Sequence, residues 1–402
     1  MRLATANLFD ASIASLQSRQ QQMQKAQVQL TSGKKVMQAS DDPTGAARAE
    51  RALMAIGRVD ANQRALEASR NGMTLSEGAL GDANELLQQV RESMVAAGNA
   101  SYSDAERAGL ATKMAGLRNQ LLSIANRSDG AGSFLFSGQG ASDPPFLDQA
   151  GGVSFTGVSG SIQTGNMDSF PLTVDGRQAW EQARSGNGSF ETQPGVNLTS
   201  GGAPKGWIDS GRVTDPAALT GNDYNIQITG SAPAQTYAIT NGATGATVGG
   251  AFKPGQSIQF EGMAMTVSGT PVDGDQFAVK PSTNTLRVFD VLDQVVSELR
   301  TPLRGSSQIA QSNSGRLRDL DAVMGNLQNV RSQVGEQMNN LDGTETRMAS
   351  LKLYNQSEKS AAEDLDMVTA ISSFQNQQTG YDAALKTYAM VQRMSLFQYL
   401  NV

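Results

Sequence analysis

Proline is confined to the middle of this chain. Ten of its twelve prolines lie between Pro144 and Pro281, with none between Pro43 and Pro144 and none after Pro302. Proline lacks a backbone donor and clashes with the preceding helical turn, so only the proline-free ends can run as long helices. Both tryptophans, Trp180 and Trp207, also fall in the middle stretch. Two helical ends of this kind pair with each other, and the middle becomes an insertion. The expected fold is therefore α+β: an elongated helical coiled-coil stalk formed by the N- and C-terminal helices, with an inserted antiparallel β domain.

In the first arm Phe9, Ile13, Leu16, Gln20, Met23, Gln27 and Leu30 alternate steps of four and three, the seam spacing of a coiled coil. Two seam positions are Gln, so this seam is weak, and an isolated helix of this kind is marginal until a partner covers it. Thr31-Ser32-Gly33 breaks the arm, and Ser40-Asp41-Asp42-Pro43 opens the next helix, with an Asp cap and Pro in the first turn. Along that helix Ala52, Val59, Leu66, Met73, Leu80, Leu87 and Met94 recur every seventh residue, and small residues such as Ala55, Ser69, Ser76, Ala83 and Ala97 line the neighbouring stripe. Ser103-Asp104-Ala105-Glu106 reads as a capping box for a third helix, expected to return along the second and to close at Asp129-Gly130.

Toward the other end, Val291, Leu292, Val295, Val296 and Leu299 mark a short helix stopping at Pro302, and Leu317 to Leu341 mark a longer one. The last arm carries Ile371, Phe374, Gln378, Tyr381, Leu385 and Tyr388, then Leu396, Phe397, Tyr399 and Leu400. Apolar residues at a terminus, which normally frays, are expected to be buried against another chain.

Between the arms, short alternating runs at Tyr224–Ile228, Thr236–Thr240, Ser257–Phe260 and Met263–Val267 are separated by the turn formers Asn241-Gly242, Pro254-Gly255 and Asp273-Gly274. They predict a compact antiparallel β domain, in which Asp273 and Asp275 are turn residues. The Gly138-Gln139-Gly140 and Gly186-Asn187-Gly188 clusters do not extend into a phosphate-binding motif and read as loops.

The chain has no cysteine and no histidine, which excludes disulfides, thiolate nucleophiles, Ser-His-Asp triads and HExxH zinc sites. No catalytic, cofactor or metal site is expected. A net charge of −6 argues against nucleic acid as a partner, and no apolar run is long enough for membrane insertion. The opening residues lack the apolar core of a secretory signal, so any export is expected to use another route.

Leu30-Thr31-Ser32-Gly33-Lys34-Lys35-Val36, followed by Ser40-Asp41-Asp42-Pro43-Thr44-Gly45-Ala46-Ala47, resembles the N-terminal region of the flagellin superfamily of bacterial flagellar axial proteins, as does Leu86-Leu87-Gln88-Gln89-Val90-Arg91-Glu92. The ending Ser395-Leu396-Phe397-Gln398-Tyr399-Leu400 is similar to the hook-associated members at the hook–filament junction, whereas filament flagellins usually end in a Leu-Leu-Arg-like tail. One departure is Gln89-Val90-Arg91-Glu92-Ser93, where flagellins sensed by the innate receptor carry an Arg-Val-Arg-Glu-Leu-like stretch.

The resemblance implies a structural protein, not an enzyme, linking the hook to the flagellin filament through coiled-coil packing of its terminal helices; a filament-forming flagellin is the alternative. It implies a homo-oligomeric ring and neighbours that are another hook-associated junction protein and flagellin. It also implies a cytoplasmic export chaperone on the C-terminal helix, type III export, and an extracellular place in the flagellum. The expected assembly interface comprises Phe9, Ile13, Leu16, Met23, Leu30, Leu385, Tyr388, Leu396, Phe397, Tyr399 and Leu400, with the helix start at Asp41, Asp42 and Pro43. The expected domains are 1–40 with 362–402 for assembly, 41–130 with 285–361 as a helical rod, and 131–284 as the outer β domain.

Overall fold

The computed structural model describes residues 2–99, 101–139, 143–165 and 168–400, except the side chains of 2–9, 391 and 393–400. Among these, helices are α1 (Arg2–Ser32), α2 (Pro43–Ala97), α3 (Asp104–Ala125), α4 (Gly176–Glu181), α5 (Val288–Arg300), α6 (Ser306–Glu363) and α7 (Met367–Leu400). The chain divides into two compact units, Met1–Gln63 with Thr344–Val402, and Arg64–Gly343.

In the first unit α1 packs on α7. The opening turns of α2 and the closing turns of α6 bury Ala49, Ala52, Val59, Met348 and Ala362, and Lys352 Nζ lies 2.7 Å from Asp60 Oδ1. The core here is thin and built largely from alanine.

The second unit has thicker cores. On α2, Leu66, Met73, Leu80, Leu87 and Met94 are all buried, flanked by buried Ser69, Ser76, Ala83 and Ala97. Gly72 sits among them because a Cβ there would come within 2.6 Å of the Leu172 carbonyl oxygen; the chain at Pro171 crosses so closely that the Ser69 hydroxyl donates to its carbonyl. On α6, Leu320, Val323, Leu327, Val330, Val334 and Leu341 are buried, and α5 buries Val288, Phe289, Val291, Leu292, Val295 and Leu299.

The capping box of α3 forms as the residues predict: Ser103 N donates to Glu106 Oε2 at 2.6 Å, and Glu106 N to Ser103 Oγ at 3.3 Å. Its far end differs from expectation. The helix stops at Ala125, because Asn126 is taken by Phe146: its Nδ2 donates to the Phe146 carbonyl at 2.8 Å and its Oδ1 accepts the Phe146 N–H at 2.9 Å. Asp129-Gly130 instead shapes a separate turn, in which Asp129 Oδ1 accepts the N–H groups of Ala131 and Ser133. Beyond its end, Arg127 pairs with Asp82 of α2 at 2.8 Å, while the buried face of α3 packs most closely on α5.

The residues after α3 build two cores. In the first, Trp180 stacks on Phe289 at 5.7 Å and meets Phe136 edge-on at 5.6 Å, with Phe146 alongside. Trp180 is carried by α4, whose start is capped by Asp175 Oδ1 accepting from Arg177 N and Gln178 N. Arg118 of α3, its guanidinium over the Phe289 ring, grips Asp148 and, at 3.0 Å, Asp293, and the two carboxylates hold its guanidinium pKa above the usual range.

The second core lies between two antiparallel sheets. One has the strand order Thr247–Ala251, Thr236–Asn241, Tyr224–Thr229, Gln276–Pro281, Phe190–Pro194; the other pairs Ser257–Phe260, Met263–Gly269 and Gly206–Ile208, with Arg212–Val213 also on the middle strand. Ile226, Ile228, Ile239, Phe277 and Val279 cluster with Ile258, Met263, Met265 and Val267. Asp273 stays on its turn and accepts from Gly230 N at 2.7 Å. Asp275 does more than turn the chain. It is fully buried, and its carboxylate collects the N–H groups of Lys205, Gly206 and Val272 and the Asn197 amide, so it ties three loops together.

Candidate assembly interface

Between α1 and α2, Gly33 leaves the first helix at φ +71, a left-handed conformation that favours glycine. Asp42 then caps α2: its Oδ1 accepts from Thr44 N and Gly45 N, both at 3.0 Å, and from the Thr44 hydroxyl at 2.8 Å. Those donors, Gly45 N–H first, hold the Asp42 carboxyl below its ordinary range. Pro43 is the first residue of α2, where its missing donor costs nothing. Asp41 faces the other way. It pairs with Lys25 of α1 at 2.8 Å and accepts from Gln38 N and Met37 N, and the Lys25 bond is the main cause of its lowered pKa. Asp366 repeats the capping chemistry at the start of α7, accepting from Val368 N, Thr369 N and the Thr369 hydroxyl.

The α1–α7 pair runs antiparallel: Leu365 N donates to Gly33 O at one end, and further along Arg19 of α1 lies across Gly380 of α7, where a Cβ would stand 3.1 Å from its guanidinium. Leu16, Met23 and Leu30 are half-buried on α1, and Phe374, Tyr381 and Tyr388 are half-buried on α7. Ile13 and Leu385 remain 39% and 40% exposed, and Gln20 and Gln27 reach solvent. The side chains of Phe9, Leu396, Phe397, Tyr399 and Leu400 lie outside the described residues.

Ile371, which the seam spacing singled out, stays exposed, and so do three apolar residues of α7 outside that spacing, Met367, Val368 and Met390, Val368 by 81%. A helix that half-buries one stripe and leaves another set of apolar residues in water has surface left for a partner to cover. The Arg19–Gly380 contact was also missed; a lone glycine inside a helical pattern is its only trace in the sequence.

Elsewhere, a cleft of about 610 Å³ is lined by Arg184, Asn187, Arg318, Asp321 and Asn326 among others. Its polar groups are committed to the fold: Asn326 donates to the Gln178 and Ala179 carbonyls, Arg318 holds Asp319, and Asp321 holds Arg91 at 2.6 Å. Among the described residues no group of three acidic side chains is placed to hold a metal, and no helix is long and apolar enough to cross a membrane.

The profile of the bacterial flagellin N-terminal helical region matches residues 5–141, and that of the flagellin C-terminal helical region matches residues 317–400. The chain belongs to the flagellin superfamily. The intervening residues 202–281 match the D2-like domain of flagellar hook-associated protein 1. Flagellar hook-associated protein 3 of Escherichia coli K12 is 24% identical over 410 aligned residues, covering 99% of both chains. Among solved structures, hook-associated protein 3 of Legionella pneumophila superposes with a TM-score of 0.70 at 26% identity, over 77% of this chain and 97% of that one. FlgL of Xanthomonas campestris gives 0.67 at 26% identity, over 78% and 99%. These relatives are structural proteins of the flagellum, and this superfamily member shares their plan of terminal helices around an inserted β region.

Proposed function

We infer that this chain is a structural component of the bacterial flagellum, a hook-associated protein that links the hook to the flagellin filament. One observation carries the reading: hook-associated protein 3 aligns along essentially the whole chain, inserted β region included. A filament flagellin is the weaker alternative, because the profile matched between the helical ends is a hook-associated domain.

The mechanism we propose is completion of the α1–α7 pair by neighbouring copies. Phe9, Ile13, Leu16, Met23, Leu30, Leu385, Tyr388, Leu396, Phe397, Tyr399 and Leu400 form the assembly surface, and Asp41, Asp42 and Pro43 set where it ends. In this reading 1–40 with 362–402 is the assembly domain, 41–130 with 285–361 the rod, and 131–284 the outer β domain. Copies form a ring whose neighbours are a second junction protein and flagellin. The chain leaves the cell through the flagellar export apparatus, with a cytoplasmic chaperone covering α7 beforehand, and it catalyses no reaction. The half-covered seam supports this, since apolar residues left in water need a cover before and after assembly.

Deleting the gene and examining cells and medium by electron microscopy and immunoblot tests the reading. Complete hooks without filaments, with flagellin shed into the medium, are expected. Bare hooks with no flagellin anywhere would instead make this chain the filament subunit.

A further inference from the structure

The breaks that end α1 and begin α7 are hydrogen-bonded to each other. Lys35 N donates to Glu363 O at 2.8 Å, Val36 N to the same oxygen at 3.4 Å, and Leu365 N to Gly33 O at 2.9 Å, with Lys34 opposite Asp364 in antiparallel register. Side chains reinforce the contact: Lys35 Nζ reaches Ala361 O at 2.7 Å across 326 residues of sequence, and Lys34 Nζ lies 3.2 Å from Glu363 Oε1. Val36 and Ala362 are buried beneath it. Gly45 belongs to the same arrangement, since a Cβ there would stand 2.5 Å from Asp42 Oδ2 and 3.3 Å from Ala362 O.

The last carbonyls of a helix lack partners within it and are ordinarily satisfied by water or a local cap. Here those of Ala361 and Glu363, in the last turn of α6, are satisfied by residues 35 and 36, from the other end of the chain. In return the carbonyl of Gly33 takes the N–H of Leu365, just before α7. Neither break can bend freely without breaking hydrogen bonds that the other supplies. The seam beyond is a poor substitute for this coupling, because its glutamines face solvent and its apolar residues are only half covered.

We propose that this clasp turns the two breaks into a single hinge, so that α1 and α7 open, close and dock as one body instead of as two independent tails. Its closure requires residues 33–36 and 361–365 to be brought together, and the paired turns of α2 and α6 around Asp60 and Lys352 help do that, removing part of the loop-closure entropy beforehand.

Hydrogen exchange read by mass spectrometry on the full chain tests this with a reciprocal pair of variants. Lys35→Pro removes a clasp donor from the α1 side, and Leu365→Pro removes one from the α7 side. Each is expected to speed exchange in both α1 and α7 by about tenfold or more while α3 and α5 stay unchanged. If each variant loosens only its own helix, the breaks are separate hinges and the proposal fails. Equally fatal would be α1 and α7 exchanging at the unprotected rate in the unaltered protein. Should a proline variant also unfold α5, the milder Lys35→Ala and Glu363→Gln decide. Faster exchange in the helix across the clasp from the substitution then supports the single hinge, and unchanged exchange there overturns it.

Discussion

In α2, Leu66, Met73, Leu80 and Leu87 have lost nearly all contact with water, whereas in α1 the equivalent seam residues Leu16, Met23 and Leu30 are half covered and Ile13 stays 39% exposed. Both helices repeat apolar residues at coiled-coil spacing. They differ in how many neighbours they have. The α2 stripe belongs to a unit that also contains α3, α5, α6 and the chain crossing at Pro171–Leu172, while among the described residues α1 packs chiefly on α7. Seven-residue spacing therefore specifies a face, and the number of partners decides whether that face becomes a core.

That contrast can be broken directly. Leu80→Ala is expected to destabilise the protein by about 2–5 kcal/mol in urea unfolding, the cost of a cavity in a packed core. Leu16→Ala should cost less than about 1 kcal/mol in the same measurement, because little buried area is lost at a half-covered site. Equal losses would mean that the α1 seam is already a finished core. The buried region can be probed again at Asp275. Replacing it with Ala strands three backbone N–H groups and the Asn197 amide, and a loss of about 3 kcal/mol in the same assay is expected.

A pH titration sharpens the comparison further. Burial pushes the Glu298 carboxyl up, against the opposing pull of Arg316 and Arg304. A carboxyl raised in the folded state costs nothing below its unfolded pKa of about 4.3 and opposes folding increasingly as pH rises through the folded value. Glu298→Gln should therefore remove a loss of stability that the unaltered protein shows as pH rises above that point; an unchanged pH profile would remove Glu298 as its cause. Asp41 and Asp42 shift the opposite way, and their contribution is present above the ordinary aspartate range and lost as pH falls. The smallest effect is expected at Arg91, whose pair with Asp321 is exposed on both sides. Arg91→Ala should change unfolding stability by less than about 1 kcal/mol, and a larger loss would show that this surface pair is part of the core's support.

Much of the fold was legible because it is written in local chemistry. The capping box at Ser103–Glu106, the stop before Pro302 and the strand that ends at Asn241 each depend on a few adjacent residues, whereas the strand Thr247–Ala251 that pairs with it was not legible. The end of α3 was not legible, because Asn126 is claimed by Phe146, twenty residues away. The helix carrying Trp180 is six residues long, too short to leave a periodic signal. Asp275 looked like one of two turn carboxylates, and only the arrival of the Lys205–Gly206 and Asn197 segments distinguishes it from Asp273.

By itself, the sequence determined that both ends are long helices, that the middle holds the strands around 224–228, 236–240, 257–260 and 263–267, where α2 and α3 start, and that the ends carry seams for pairing. Those properties follow from propensity, capping and period, which act over a few residues. Tertiary structure alone decided which seams close within the chain and which remain open, that residues 33–36 would complete the hydrogen bonds of 361–365, and that Arg19 would find the gap left by Gly380. These are contacts between residues far apart in sequence, and burial depends on what else arrives at a surface, which no local pattern encodes.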